Sequence, residues 1–317
     1  MKHLICILAH KNASHLELLT SECLQRGYKV IIHIDKKNRK QLLQNSELLK
    51  KYTLKESIDV TRAHITIVEA SLLLLKAAKD VDYDYVHVIS GEDFIVKSAN
   101  CFEAFFSEHK GKNFINNNLL PVNLTTKPQR DKLFSAYAIF KDRIEVNNYS
   151  SWYYENGLGL LNTHYFRPGS LGDRLIKLLT PTYRLRKIYK RLASRKLPNT
   201  HYYAGSAWFS ITRPMAEYLI DETIASPSFY SFFENSLFPD ETYFQTLALN
   251  SPLAHTVINS DLRYIPWDKP VNFGPRPIRI SELSDIAKSN GFFARKLDLG
   301  KDTKLKEKIY DTLYDTY

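Results

Sequence analysis

The chain has 317 residues, 44% of them apolar and 13% aromatic, which is enough for one large core or two small ones. Its 44 basic and 34 acidic residues give a formal charge of +10, which favours a polyanionic partner such as a nucleic acid, an anionic lipid or a phosphorylated substrate. No internal repeat, low-complexity tract or bilayer-length apolar run occurs, so neither a repeat array nor a membrane span is predicted.

Three cysteines occur, Cys6, Cys23 and Cys101, and no pair of them has the spacing of a zinc site. We therefore expect free thiols and a reducing compartment. The opening stretch MKHLICILAH lacks the small-residue cleavage site of a signal peptide and predicts a buried first strand. The expected location is the cytoplasm.

Strand and helix signals alternate over the first hundred residues. HLICILAH, YKVIIHID and YDYVHVIS predict strands, and ASHLELLTSECLQ and ITIVEASLLLLKAAK predict the helices between them. This β-α-β-α-β order predicts an α/β fold with a doubly wound, mainly parallel sheet flanked by helices. Ligands of such sheets bind beyond the carboxyl ends of the strands, where Asp35, Glu92 and Asp93 are expected. Asp35 is suited either to binding a ribose or uracil or to capping a turn.

The second half of the chain is less regular. Residues 117–168 are rich in Asn and aromatics and predict long loops, and helix signals dominate from about Leu171. A strand is predicted from Gly205 to Thr212, and short strands are predicted within HTVINSDLRYIPW. No Gly/Ser/Pro-rich linker separates these parts, so residues 1–317 are predicted to form a single domain.

The stretch PDETYFQTLALNSP predicts a helix that begins at Pro239, Asp240 and Glu241. Proline at a first helical position and acids in a first turn are ordinary start signals. The two acids therefore have two interpretations: they complement the helix dipole, or one of them takes part in chemistry.

Several motifs of cofactor and metal sites are missing. The sequence contains no GxxxxGK[ST] loop, no GxGxxG fingerprint and no HExxH. Two DxD matches, Asp80-Val-Asp82 and Asp82-Tyr-Asp84, precede a predicted strand and so belong to its amino end, the wrong end for a metal-bound nucleotide. We predict neither a metal site nor a cofactor.

Seven short motifs occur in a distinctive order. AHKN, HIDKK and SGEDF are followed by GSAWFSITRP, PDETYFQTLALNSP, LRYIPW and FFARKLD. Together they resemble glycosyltransferase family 14, the core-2/I-branching β-1,6-N-acetylglucosaminyltransferases and peptide O-xylosyltransferases, over about residues 1–300. The resemblance implies a GT-A-type fold and inverting, metal-independent transfer from a UDP-sugar to a hydroxyl of a glycan acceptor. It also implies a nucleotide-binding half over residues 1–116 and an acceptor-binding and catalytic half over residues 117–317.

The same resemblance implies roles for particular residues. The family's catalytic base falls on Glu241 and its diphosphate-binding lysine falls on Lys296. The partner arginine falls on Arg276 or Arg279, of which Arg276 is preferred. Asp35 falls in the nucleoside region.

On the acceptor side, the family's stacking tryptophan falls on Trp267, and Glu92 and Asp93 border the acceptor site. Each assignment has a structural alternative: Glu241 complements a dipole, Lys296 is a solvated lysine, Trp267 is a core aromatic, and the acids of SGEDF cap a turn. Trp208 is expected in the core.

Donor and acceptor are predicted only by class. The resemblance implies N-acetylglucosamine first and xylose second as the transferred sugar. A cysteine-poor chain without a signal peptide differs from the cysteine-rich Golgi members, which suggests a bacterial-type enzyme on the cytoplasmic side. Its expected product is a surface polysaccharide or a lipid-linked glycan.

A nucleic-acid-binding module is the alternative function. The positive charge, the many Tyr and Phe residues and the basic run YRLRKIYKRLASRK suit it. Against it, no RNP, helix-turn-helix or KH signature appears, and the charge is concentrated in one predicted helix. Selective stabilisation by UDP indicates the transferase, whereas steeply salt-dependent binding of DNA or RNA indicates the module.

The run from Tyr183 to Lys196 predicts a basic amphipathic helix. Its apolar stripe and its cationic face comprise Leu185, Ile188, Tyr189 and Leu192 and, opposite them, Arg184, Arg186, Lys187, Lys190, Arg191 and Arg195. Such a helix either lies in a membrane interface or packs its apolar stripe on the core. In the first case it holds the enzyme beside a lipid-linked acceptor at the inner face of the membrane.

Co-sedimentation with liposomes distinguishes the two interpretations. Because each cation near an anionic surface contributes about 1 kcal/mol, we expect binding that requires anionic lipid and falls with salt. Changing Lys187, Lys190 and Arg191 to Glu should abolish most of it. A wild-type protein that stays in the supernatant with anionic vesicles at low salt contradicts the membrane interpretation.

Overall fold

The computed structural model describes residues 1–61, 64–119, 200–233, 238–266 and 275–314. Trp267, the run from Tyr183 to Lys196 and most of the predicted loops at 117–168 lie outside these residues.

A six-stranded sheet forms the centre of the fold. In spatial order its strands are β2 (Lys29–Ile34), β1 (His3–Ala9), β3 (Tyr85–Ser90), β8 (Phe209–Thr212), β5 (Asn113–Ile115) and β9 (Val257–Ile258). β1 pairs in parallel with β2 and β3, and β9 pairs in parallel with β5. Only β8 is antiparallel to its neighbours, so five of these six strands share one direction, which confirms the mainly parallel sheet.

Two smaller sheets flank the central one. The first consists of β10 (Arg263–Tyr264), β11 (Phe293–Arg295) and β4 (Asp93–Ile95), with β11 in the middle. The second is a ribbon of β6 (Asn118–Leu119) and β7 (Tyr203–Ala204). In the first, Arg295 of β11 is the register partner of Asp93 of β4.

Helices cover both faces of the central sheet. They are α1 (Ala13–Gln25), α2 (Arg39–Leu43), α3 (Glu47–Tyr52), α4 (Thr66–Ala78), α5 (Ala99–Glu108), α6 (Arg213–Ala225), α7 (Pro227–Phe233), α8 (Tyr243–Leu249), α9 (Leu283–Lys288) and α10 (Thr303–Ile309). Successive β1 residues point to opposite faces. Ile5 and Ile7 pack in one core with α1, α5, α9 and α10, and Leu4 and Cys6 pack in a second core with α4, α6, α7 and α8. A sheet buried on both faces explains why its strands are continuous apolar runs.

The direction of the strands gathers the polar loops at one edge. The register pairs Leu8 with Ser90 and Ala9 with Ile34, so β1, β2 and β3 end side by side. Ile115, at the end of β5, pairs with Phe209, at the start of β8. The carboxyl ends of β1, β2, β3 and β5 and the amino end of β8 therefore form one edge, called the carboxyl edge below.

The DxD acids lie at the opposite edge, as the order of the elements predicts. Asp84 accepts a hydrogen bond from the backbone N of Lys2 at 2.8 Å, and Asp82 is ion-paired with the Lys2 ammonium. Both acids therefore serve the amino ends of β1 and β3, far along the strands from Asp35 and Glu92.

Two predicted elements differ in their bounds. The strand predicted from Gly205 begins only at Phe209, so Gly205 to Trp208 form a loop at the carboxyl edge. Pro239–Glu241 form a separate 3₁₀ turn, and the following helix α8 begins at Tyr243. Within the ranges that the structure covers, no helix combines the length and apolarity needed to cross a bilayer.

A buried histidine pair joins β1, β3 and β8. His3 Nδ1 lies 3.0 Å from His87 Nε2, and His87 Nδ1 lies 2.9 Å from Ser210 Oγ. Burial lowers the pKa of His3 to about 4, although Glu103 opposes that shift. His3 is therefore neutral in the folded protein at pH values where it is protonated in the unfolded chain.

The free energy of unfolding should therefore fall on acidification. The folded pKa of His3 lies below the unfolded value near 6.5, so stability present at pH 7 is lost as the pH falls from about 6.5 towards 4. Between pH 7 and pH 5, this histidine accounts for about 2 kcal/mol of the loss. Urea unfolding at the two pH values should show a loss smaller by about that amount in His3→Gln. The exposed His255→Gln is the matched control, and equal losses in His3→Gln and wild type contradict the prediction.

Candidate active site at the carboxyl edge

Asp35 follows β2 and occupies one end of the carboxyl edge. Its Oδ1 accepts hydrogen bonds from the backbone N of Lys37 at 3.1 Å and of Val60 at 3.4 Å. Lys37 Nζ lies 3.6 Å from Asp35 Oδ2 and 2.6 Å from Asp59 Oδ1. The carboxylate thus caps a turn, and its role in nucleoside binding stays a prediction.

Glu92 follows β3 and is held in its ionised form. Its Oε1 lies 2.9 Å from Lys11 Nζ, and Lys11 remains 46% exposed. Burial raises the pKa of Glu92, but the hydrogen bond and charge of Lys11 and the charges of Lys296 and Arg295 outweigh it and leave the pKa below its usual value. The backbone independently brings the Lys296 segment beside Glu92, because Leu297 N donates to the Glu92 carbonyl at 2.9 Å.

His10 follows β1 and lies among the same groups. It is accessible to solvent at the edge, yet the protein atoms around it desolvate the ring and lower its pKa. The charges of Glu92, Lys11, Asp35 and Lys296 also act on it. His10 belongs to the AHKN motif and follows β1 as Asp35 follows β2, but no role was predicted for it. Backbone hydrogen bonds place these groups around the end of β1. Asp35 N donates to the carbonyl of Ala9 at 2.9 Å, and Gly91 N, next to Glu92, donates to the carbonyl of Leu8 at 2.8 Å. The segment of Lys296 joins them through the hydrogen bond to Glu92.

Asp93, next to Glu92, is completely buried at 0% exposure. Its Oδ2 accepts a hydrogen bond from Ser90 N at 3.0 Å, and its Oδ1 lies 3.4 Å from Arg295 Nε. Burial raises the pKa of Asp93 despite the opposing charges of Arg295 and Arg263. The Asp93 side chain is therefore not accessible to an acceptor in this arrangement, and it is ion-paired with Arg295 instead.

Trp208 packs against the second core but lies at its border. It is only partly buried, in the loop before β8, and the Arg295 guanidinium carbon lies 4.5 Å from the centre of its ring. Arg295 is 8% exposed, and its buried Nε has no hydrogen-bond partner in the described part of the chain. A cation over an aromatic face is stabilised by the ring quadrupole, so the two side chains hold each other at the edge.

Glu241 is fastened to the loop before β8 through its backbone. Its carbonyl accepts a hydrogen bond from Gly205 N at 2.9 Å. One turn later, Gln245 Nε2 donates to Ser206 O at 2.6 Å, and Thr246 Oγ1 lies 3.1 Å from both the N and the O of Tyr203. These contacts place the Glu241 turn at the carboxyl edge. Asp240 is buried there, whereas Glu241 is more exposed.

Only glycine fits at position 205 in this arrangement. A Cβ atom there would lie 1.8 Å from the carbonyl oxygen of Asn116, which follows β5. Since that oxygen belongs to the backbone, a side chain could be accommodated only if the end of β5 or the loop before β8 moved.

Arg276 is engaged in a bidentate ion pair. Its Nη1 and Nη2 lie 2.7 and 2.9 Å from the two carboxylate oxygens of Glu282, and Arg276 is only 8% exposed. Its neighbour Arg279 is exposed. Ile278 N donates to Lys296 O at 3.0 Å, so the segment that carries Arg276 lies beside Lys296. The guanidinium of Arg276, however, is already paired with Glu282. Diphosphate binding by Arg276 stays a prediction.

Trp267 lies outside the described residues, so its acceptor role also stays a prediction. Over the residues that the structure describes, no three His, Cys, Asp or Glu side chains are grouped as metal ligands. Metal-independent transfer stays a prediction.

Comparison with known proteins identifies relatives over parts of the chain. The beta-glucuronosyltransferase GlcAT14A of Arabidopsis thaliana is 32% identical over 113 residues, which cover 35% of this chain and 25% of that protein. Xylosyltransferase 2 of Canis lupus familiaris is 26% identical over 40% of this chain and 17% of its own length. Xylosyltransferase sqv-6 of Caenorhabditis briggsae is 23% identical over 74% of this chain and 25% of its own length. The chain thus matches a quarter or less of each of these relatives.

A family model extends the similarity further along the chain. The model, described as Core-2/I-Branching enzyme, matches residues 6–140 and 174–287, which include Asp35, Glu92, Asp93, Glu241 and Arg276. Because the match spans most of the sequence and agrees with the α/β fold, the chain belongs to the family of core-2/I-branching enzymes, glycosyltransferase family 14.

Proposed function

We propose that this chain is an inverting glycosyltransferase that moves a sugar from a UDP-sugar to a hydroxyl group of a glycan acceptor. The observation that carries the proposal is the position of Glu241. Its turn is fastened to the loop before β8, at the same edge where Asp35, Glu92 and Lys296 surround the end of β1. The Glu241 turn and the Lys296 segment thus lie at the same carboxyl edge.

Glu241 is the general base in this proposal. It takes the proton of the acceptor hydroxyl while the hydroxyl oxygen attacks the anomeric carbon and the bond from that carbon to UDP breaks. Attack from the face opposite UDP inverts the configuration, and UDP leaves with the bonding electron pair. General-base assistance of this kind contributes roughly 10²–10⁴-fold to the rate.

The departing diphosphate needs cations fixed before the reaction. Lys296 is the first, because the hydrogen bond from Leu297 N to the Glu92 carbonyl holds its segment at the carboxyl edge. For the second we favour Arg295 over Arg276, because Glu282 occupies the fork of Arg276 and the Nε of Arg295 has only a 3.4 Å ion-pair contact with Asp93. An arginine that gains a diphosphate partner satisfies its donors with two oxygens at once.

The donor and acceptor are proposed by class. In this proposal Asp35 binds the nucleoside, and Glu92 and Trp267 bind the acceptor. N-acetylglucosamine and xylose remain the first and second proposed sugars, and the names of the relatives add glucuronic acid to the sugars that a UDP-sugar panel should contain. A cytoplasmic enzyme that extends a surface polysaccharide or a lipid-linked glycan fits the free thiols Cys6, Cys23 and Cys101.

Substitution of Glu241 tests the base directly. Glu241→Gln keeps size and polarity but cannot accept the proton, so we expect turnover to fall by about 10²-fold or more while UDP still binds. UDP release from the UDP-sugar panel measures turnover, and calorimetry measures UDP affinity. Asp240→Asn is the matched control and should retain far more activity, because buried Asp240 shapes the turn. Near-normal turnover in Glu241→Gln refutes the assignment.

A second test concerns the cations and metal. We expect activity to survive excess EDTA, and Lys296→Ala to weaken UDP binding about tenfold or more, because a charge-assisted contact is lost. Arg295→Lys keeps the charge but loses the fork and should weaken binding less. Lys301→Ala, on the same loop and exposed, is the control. Loss of activity in EDTA with recovery in Mn²⁺ contradicts metal independence. If Arg276→Ala weakens UDP binding and Arg295→Lys does not, Arg276 is the arginine that binds the diphosphate.

A further inference from the structure

The loop that carries Lys296 is held at three points. Leu297 N donates to the carbonyl of Glu92 at 2.9 Å, and Lys296 O accepts from Ile278 N at 3.0 Å. The third point is Leu299 N, which donates to His15 Nδ1 at 3.0 Å. His15 lies on α1, so the third contact ties the loop to a helix that begins at the carboxyl edge.

The ring of His15 bridges two segments of the site. It is fully buried, and its Nε2 lies 3.0 Å from the carbonyl oxygen of Asp93. Since Nδ1 accepts the Leu299 N–H, the ring proton belongs on Nε2, which donates to Asp93. Burial lowers the pKa of His15, against the Asp93 hydrogen bond and the charges of Asp298 and Glu92, so the ring is kept neutral.

The same loop also approaches α1 closely at Gly300. A Cβ atom at Gly300 would lie 2.2 Å from Ser14 Oγ and 2.8 Å from the backbone N of His15. The close approach at Gly300 does not involve the His15 side chain, so it is a second and separate constraint on the loop.

We propose that His15 is a positioning residue for the nucleotide diphosphate: by joining Asp93 to Leu299, it holds the Lys296 loop against Glu92 before the donor binds. This inference rests on the proposed function. His15 touches neither the donor nor the reacting atoms. A loop ordered in advance loses less conformational entropy on binding, so the effect should appear in donor affinity.

The anchoring of α1 itself does not require His15. Leu16, Leu19 and Cys23 on the same helix are each fully buried in the core. Both polar contacts of the His15 ring go to segments that carry site residues, and neither goes to its own helix. An apolar side chain at position 15 would be enough to pack α1 on the core. The two hydrogen bonds to the site segments therefore explain why this position holds a histidine.

Three variants and a control separate these roles. His15→Phe keeps a ring and removes both hydrogen bonds, whereas His15→Gln retains a donor and an acceptor on one planar group. Gly300→Ala displaces the loop without touching the ring. Thr20→Val is the control, because Thr20 is buried on α1 and its hydroxyl donates within that helix, to Leu16 O.

We expect His15→Phe and Gly300→Ala to raise the UDP dissociation constant and the KM for the UDP-sugar by about tenfold. The value of kcat at saturating donor should stay within about threefold, because Glu241 is held by other contacts. His15→Gln should restore most of the affinity, and Thr20→Val should retain wild-type affinity. Amide exchange of residues 296–299 without ligand should become faster in His15→Phe and in Gly300→Ala.

Each remaining outcome overturns a definite part of the proposal. Unchanged UDP affinity in folded His15→Phe refutes the positioning role, and so does equal weakening by Thr20→Val. Unchanged exchange of residues 296–299 in His15→Phe shows that His15 does not hold the Lys296 loop, whatever the ligand. If wild-type protein does not bind UDP but exchange changes as expected, the proposed function and the link to donor affinity are refuted, while the role of His15 in holding the loop stands.

Discussion

The arrangement of the site depends on one backbone hydrogen bond, from Gly205 N to the carbonyl of Glu241 at 2.9 Å. This hydrogen bond can form because β8 is antiparallel to its neighbours, so that the first residues of β8 lie where β3 and β5 end. It also requires a residue without Cβ, since the carbonyl of Asn116 occupies the space that a side chain would need. Through this contact, a turn distant in sequence from β1, β2 and β3 is brought to their carboxyl edge.

The charges at this edge are arranged for an anionic ligand. A diphosphate would be repelled by Glu92, which the structure keeps ionised, unless that charge is already neutralised. Lys11 supplies the neutralising contact at 2.9 Å, and Arg295 lies beside buried Asp93 in the same way. The Lys296 loop lies beside Glu92, so the charge of Lys296 adds to those of Lys11 and Arg295 near the two acids.

Local sequence patterns predicted those parts of the fold and site that depend on local order. Apolar periodicity identified β1, β2, β3, α1 and α4, and chain order then placed Asp35 and Glu92 beyond strand ends. The antiparallel direction of β8 was not predictable, because it follows from pairing across more than a hundred residues. The complete burial of Asp93, next to Glu92, depends on β4 pairing with β11. The ion pair of Arg276 with Glu282 joins two residues of an irregular segment, which no periodicity reveals.

The segments that carry the candidate site residues pack in different cores, on opposite faces of the central sheet. Phe94, Phe293, Leu297 and Leu299 place the segments of Glu92 and Lys296 in the core that contains α1. Ala204, Tyr243 and Phe244 place the segments on either side of the Gly205–Glu241 contact in the core that contains α8. In the proposed function, Lys296 belongs to the nucleotide side and Glu241 to the base side. Because these two segments are anchored in different cores, a cavity in one core should displace one of them more than the other. Substitutions far from either ligand should therefore change donor affinity and the chemical step separately.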